Sequence, residues 1–220
     1  MIKLGCILGV VIGLLTANIA YAGDIQGQVT IFQKGKDKPL KNFDNAVVYL
    51  EGLETPAPQE PAVMNQTEKK FEPRLLPVVQ GQEVRFLNSD RLQHNVFSPH
   101  PEEPFDLGRY PKGEYKPFTF KVLGQHKIYC DIHQQMVGDV FVLPNRYFAV
   151  TDKTGRFTIT AVPPGTYTLK VWHILGGEVA QPITVTEALP EVNFTVKSQA
   201  VTQQLEDHHN KTGKDYPPTY

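Results

Sequence analysis

Cys130, His133 and Met136 stand three residues apart in the segment Cys130-Asp131-Ile132-His133-Gln134-Gln135-Met136. If this segment turns, a thiolate, an imidazole and a thioether can face one point. Soft sulfur combined with imidazole favours copper over zinc, magnesium or calcium. A fourth ligand is expected from a distant strand end. His94 is the candidate, because it follows the polar turn Asn88-Ser89-Asp90 and opens the apolar run Val96-Phe97. Two imidazoles and a thiolate in a plane, with a weak axial thioether, form a type 1 copper arrangement. The expected cofactor is therefore one copper, held by His94, Cys130, His133 and Met136.

Other chemistries fit these residues less well. A c-type haem needs two cysteines before its histidine, and structural zinc usually takes several thiolates. Thiol catalysis would need a clear third group and is disfavoured in an oxidising compartment. A binuclear copper centre needs a second bridging cysteine. Multicopper oxidases flank their cysteine with histidines, whereas Tyr129 and Asp131 flank Cys130.

The elements that must position these ligands are strands. Period-two alternation runs through Glu83–Leu87, Phe118–Val122, His126–Cys130, Arg156–Thr160, Thr166–Val171 and Val192–Val196. Gly81, Gly124, Asp152-Lys153-Thr154-Gly155 and Pro163-Pro164-Gly165 supply turn chemistry between them. No amphipathic helix longer than two turns is evident, so the predicted class is all-β, built as sandwiches. The stiff stretch from Thr55 to Pro61 and the Pro144-Asn145 pair read as boundaries. The polar stretch from Ser198 to Tyr220 reads as a disordered tail, with His208-His209 a solvated pair. His126 is expected at an edge or on the surface, His100 in a loop, and His173 in sandwich packing.

The charges of the 220-residue chain nearly cancel: 22 Lys plus Arg against 23 Asp plus Glu. Without a basic stripe, nucleic-acid binding has no electrostatic footing. Met1 to Ala22 reads as a secretory signal, with Lys3, the apolar run Leu4–Ala17 and the small-x-small site Ala20-Tyr21-Ala22. Export to the periplasm or outside the cell is expected, with no stable membrane insertion once the signal is gone. Cys6 leaves with the signal, so Cys130 remains without an internal disulfide partner.

The stretch His94-Asn95-Val96, then Gly124 to Cys130, then His133 and Met136, resembles the plastocyanin- and amicyanin-like cupredoxins. The likeness covers about residues 62–144, including Val79-Gln80-Gly81-Gln82-Glu83-Val84-Arg85-Phe86. It implies a Greek-key sandwich in which Asn95 ties the His94 segment to the cysteine strand. It also implies that His133 lies near the surface, where a redox partner protein docks. Ile132 departs from the proline found in many relatives. Thr151 to Phe157 and Val162 to Leu169 are similar to carboxypeptidase-regulatory-like, transthyretin-type sandwiches. The whole order, ending in Val171-Trp172-His173, resembles exported methylamine-utilisation-type proteins.

The expected organisation follows. Residues 1–22 are the signal, 62–144 the copper domain, 145–197 a second sandwich that takes up strands from 23–61, and 198–220 the tail. The expected function is electron transfer, and no enzyme activity is expected, since four protein ligands leave copper no open position. The alternatives are a carbohydrate- or protein-binding sandwich module carrying the copper domain, or copper storage and delivery.

Overall fold

The computed structural model describes residues 23–186, 191–198 and 211–214. The expected signal and most of the tail, His208-His209 included, lie outside the described residues. Among the described residues the chain is all-β, with 16 strands and no helix long and apolar enough to cross a membrane.

β1 (Gly23–Phe32) and β2 (Ala46–Glu51) come first. Nine strands follow: β3 (Ala62–Thr67), β4 (Lys70–Glu72), β5 (Leu75–Val79), β6 (Glu83–Asn88), β7 (His94–Ser98), β8 (Phe105–Tyr110), β9 (Tyr115–Thr119), β10 (Gly124–Tyr129) and β11 (Val137–Leu143). The last five are β12 (Phe148–Val150), β13 (Arg156–Val162), β14 (Gly165–His173), β15 (Glu178–Val185) and β16 (Glu191–Lys197).

The middle strands form a sheet in the order β5-β11-β10-β7-β8 and another in the order β4-β3-β6-β9. Both contribute to one core that includes Met64, Phe71, Phe86, Val96, Ile128 and Val140. The outer strands form β13-β1-β16 and β12-β2-β14-β15, whose alternating apolar residues meet in a second core around Ile25, Val48, Ile159, Leu169 and Phe194. The chain leaves and re-enters this outer pair at neighbouring points. Thr55 N donates to Pro144 O, and Asn145 Nδ2 donates to Leu50 O and Leu53 O.

β11 is buried along its whole length because both its faces are covered. Val140 and Val142 face the inner core, while Phe141 and Leu143 pack with Val47 and Tyr49 of β2. Trp172 stacks on Phe141 with ring centroids 4.5 Å apart. Gly138 in β11 lets Phe71 close over the strand, since a Cβ there would meet the Phe71 side chain at 3.1–3.3 Å.

Two expectations need correction. The alternation at Phe118–Val122 ends as a strand at Thr119, because Lys121 N and Val122 N donate to the Glu103 carboxylate instead of a neighbouring strand. His126 lies at no edge or surface: it is fully buried, stacked on the partly exposed loop residue His100 with centroids 4.1 Å apart. His173 is buried as expected and contacts Asp44 O at 3.2 Å.

Candidate metal centre

Cys130 ends the inward alternation of β10, and Met136 immediately precedes β11. The ladder between these strands closes with Tyr129 opposite Val137, which forces residues 130–136 into a tight loop. Inside it Met136 N donates to His133 O at 2.9 Å, and Cys130 N donates to Met136 O at 3.3 Å. β7 lies on the other side of β10 and pairs with it through Phe97 and Tyr129. Beyond that pair β7 carries His94 to the same end of the sheet.

The result is a convergence of three donors. Cys130 Sγ lies 4.0 Å from His94 Nδ1 and 3.9 Å from His133 Nδ1, and all three donor atoms fall within 4.8 Å of one another. Metal–nitrogen bonds of about 2.0 Å and a metal–sulfur bond of about 2.3 Å, at a trigonal angle, put sulfur and nitrogen about 3.7 Å apart. The spacing therefore fits one metal ion. His94 and Cys130 are buried, and His133 is half-buried. Met136 is fully buried at the far end of the same loop.

Asp90 orients His94, and the sequence reading missed it. Its Oδ2 stands 2.8 Å from His94 Nε2, so the imidazole donates there and leaves Nδ1 as a lone pair facing Cys130. The same carboxylate accepts from Glu68 N and Lys69 N, each at 2.8 Å. These two residues form the β3–β4 turn with φ of 51° and 56°, a left-handed pair that needs such anchoring. Partial burial works to raise the Asp90 carboxyl, but these hydrogen bonds hold it below the usual range. The signal for Asp90 in the sequence was its position four residues before His94, hidden by its reading as turn chemistry.

Burial pushes the Cys130 thiol above its ordinary value, although backbone N–H groups of Asn95, Ile132 and His133 work in the opposite direction. Burial, then the nearby His94 and Lys69, lowers the His133 imidazole. Burial thus favours the neutral, metal-binding form of His133.

Asn95 lies between two carboxylate-bearing residues. Its Nδ2 donates to Asp106 Oδ1 at 2.6 Å and its Oδ1 accepts from Asp131 N at 3.2 Å. It joins the His94 strand to the residue after Cys130. Lys211, from the stretch read as tail, contacts Asp106 Oδ2 at 2.8 Å and Asp131 Oδ2 at 3.7 Å, within a turn formed by residues 211–214.

Residues 139–189 match the family model of polysaccharide lyase family 4, domain II, a different description from the carboxypeptidase-regulatory type expected from sequence. No curated protein matches the chain. Among solved structures it is similar to the Cu-containing nitrite reductase of Thermus scotoductus SA-01, at 25% identity and a TM-score of 0.36. That match covers 38% of this chain and spans only 22% of the reductase. A reduced variant of amicyanin matches at 23% identity and a TM-score of 0.37, over 44% of this chain and 98% of its own. A purple cupredoxin from Nitrosopumilus maritimus matches at 23% identity and a TM-score of 0.34, over 37% of this chain and 99% of its own.

Proposed function

We propose that the protein is an exported electron carrier with one type 1 copper, which Cys130, His94 and His133 would hold, with Met136 as a weaker fourth ligand. The observation that carries this reading is the placement of two Nδ1 atoms within 4.0 Å of one buried thiol sulfur. Copper bound to such a set cycles between Cu(I) and Cu(II), one electron at a time.

The chain's own part is to hold the donors still. Asp90 fixes the ring and tautomer of His94, and Asn95 fixes the separation of the two strands. The Cys130 N–H and Met136 carbonyl close the loop. A pocket preformed in this way suits both oxidation states. His133, the half-buried donor, is the natural contact for a redox partner protein. With four protein ligands no position is left for a substrate, so the reading is electron transfer and not catalysis. The copper sandwich, residues 62–144, is proposed as an insertion between two parts of a second sandwich, 23–61 and 145–197. With 1–22 removed, the protein would act in the periplasm or outside the cell, with no nucleic-acid role and no membrane insertion.

Titration of the metal-free protein with Cu(II) should end at one equivalent. It should give an intense visible thiolate-to-copper band and a reversible one-electron voltammetric wave. Loss of Cu(I) to a mild chelator after reduction, with no reversible wave, would replace this reading with copper delivery. The family match over residues 139–189 favours a separate reading for the outer sandwich as a carbohydrate-binding module. Against it, Trp172, the single tryptophan, is half-buried and has one face taken up by stacking on Phe141. Retention on immobilised polysaccharide would decide that point.

A further inference from the structure

Four contacts close a ring beside the cysteine. Lys211 Nζ meets Asp106 Oδ2 at 2.8 Å, and Asp106 Oδ1 accepts from Asn95 Nδ2 at 2.6 Å. Asn95 Oδ1 accepts from Asp131 N at 3.2 Å, and Asp131 Oδ2 returns to Lys211 Nζ at 3.7 Å. Three of the members come from the copper sandwich. The fourth comes from far along the chain, beyond the last strand.

The charges explain what the lysine does there. Asp131 is a carboxylate with a side chain only 5% exposed, next in sequence to Cys130. Among the described residues its buried Oδ1 has no hydrogen-bond partner, and its ion pairs are made through Oδ2. The cations at that oxygen are Arg109, at 3.3 Å and half exposed, and Lys211. Asp106 lies on the other side of Asn95 and also takes Gly108 N at 2.9 Å. Without Lys211 two carboxylates would flank Asn95 with no shared cation between them. They would repel, and the buried Asp131 carboxylate, next in sequence to Cys130, would be left with only the half-exposed Arg109 to offset its charge.

We propose that Lys211 is a positioning residue for the metal centre: it closes this ring, holds Asn95 taut between the His94 and Cys130 strands, and offsets the Asp131 charge beside the thiolate. The C-terminal turn is therefore part of the site and not a detached tail. The redox consequence rests on the copper reading, whereas the ring itself does not.

The test uses the full chain in two forms. In the metal-free protein, NMR-detected exchange of the Asp131 amide reports whether its bond to Asn95 holds. Lys211→Ala should speed that exchange about fivefold, the worth of one hydrogen bond of ordinary strength, and Lys211→Arg should restore most of the protection. In the copper-loaded protein, Lys211→Ala should shift the Cu(II)/Cu(I) affinity ratio about threefold towards Cu(II), with the thiolate band retained. Lys36→Ala, which removes a charge from an exposed turn, should change neither. Asp131 exchange in Lys211→Ala equal to wild type would overturn the inference, as would a Lys36→Ala effect of the same size. If exchange responds but no copper spectrum develops, the ring stands and the copper reading falls.

Discussion

His94 with His133, and His100 with His126, are two histidine pairs in one sandwich, each with a carboxylate at hand. Asp90 lies 2.8 Å from His94 Nε2, and Glu103 lies 3.7 Å from His126 Nε2. The rings of the first pair meet edge to face, with centroids 4.9 Å apart and planes at 65°. Those of the second lie stacked at 4.1 Å and 21°. A metal binds an imidazole in the plane of its ring. Crossing planes can share a point, and nearly parallel planes offset by a ring's thickness cannot. The first pair also has a thiol between its nitrogens. The second has only a carboxylate already committed to Lys121 N and Val122 N. Proximity of histidines therefore does not make a metal site; the crossing of their planes at a soft donor does.

The largest test of this contrast removes the soft donor. Cys130→Ser should abolish the thiolate-to-copper band completely, while His126→Phe should leave band position and intensity unchanged. Absorption spectra of the two loaded variants check both statements. A band surviving in Cys130→Ser would mean that copper sits elsewhere.

Next in size is the carboxylate. Asp90→Ala removes the partner that orients His94, and a change of this kind lowers metal affinity about 10–100-fold. It also strips the acceptors from Glu68 N and Lys69 N, so the β3–β4 turn should loosen. Asp90→Asn, which keeps an acceptor of the same size, should recover part of the loss. Competition titration against a chromogenic chelator measures the order wild type, Asn, Ala.

The sequence disclosed one pair and hid the other for physical reasons. The approach of His133 to Cys130 was legible because local spacing within one loop brings the two side chains together. His94 was legible because a histidine opening an apolar run needs a reason to be buried. Asp90 was not, because a turn aspartate and a ligand-orienting aspartate look the same until the histidine ring is placed. His126 was on the correct face, alternating with Ile128 and Cys130, yet its burial depended on His100 and Phe120 closing around it from other segments. The end of β9 was set by Glu103, sixteen to nineteen residues away from the strand end and its neighbours, and no pattern within the strand encodes that. Lys211 was beyond reach, since 105 residues separate it from Asp106. The all-β class was readable throughout, because alternation is a local property.

A smaller effect concerns the stability of the second pair. Burial, opposed by the contact with Val122 O, lowers the His126 imidazole below its ordinary value. A group lowered in the fold resists protonation there and accepts it in the unfolded chain at about 6.5. Its contribution is therefore complete above about pH 6.5 and is lost as pH falls from there through the lower folded value. His173 is lowered by burial as well and adds a loss of the same sign. Metal-free protein should lose urea stability on acidification over this window, and His126→Phe should lose less. That variant leaves Val122 O without its partner, at a cost of about 1–3 kcal/mol at neutral pH. Parallel pH curves for the two proteins would show that His126 is not the group responsible.

The smallest expected effect isolates the carboxylate of the second pair. Glu103→Gln keeps one oxygen acceptor for Lys121 N or Val122 N, so neutral-pH stability should change by less than about 1 kcal/mol. The pH dependence should change more clearly. Glu103 is one of the influences that raise the His126 imidazole, against burial and the neighbouring His100, which lower it. Removing the negative charge pushes the folded value further down while the unfolded value stays near about 6.5. The gap between folded and unfolded values widens, so the loss of stability below pH 6.5 should become larger and extend to lower pH than in wild type. Copper titration of the same variant should be unaltered, because Glu103 touches no donor of the first pair. Urea midpoints at pH 7.5 and at two or three acid values would measure this. An acid loss in Glu103→Gln equal to that of wild type would mean that the carboxylate acts on the fold through its backbone contacts alone, with no electrostatic coupling to the second pair.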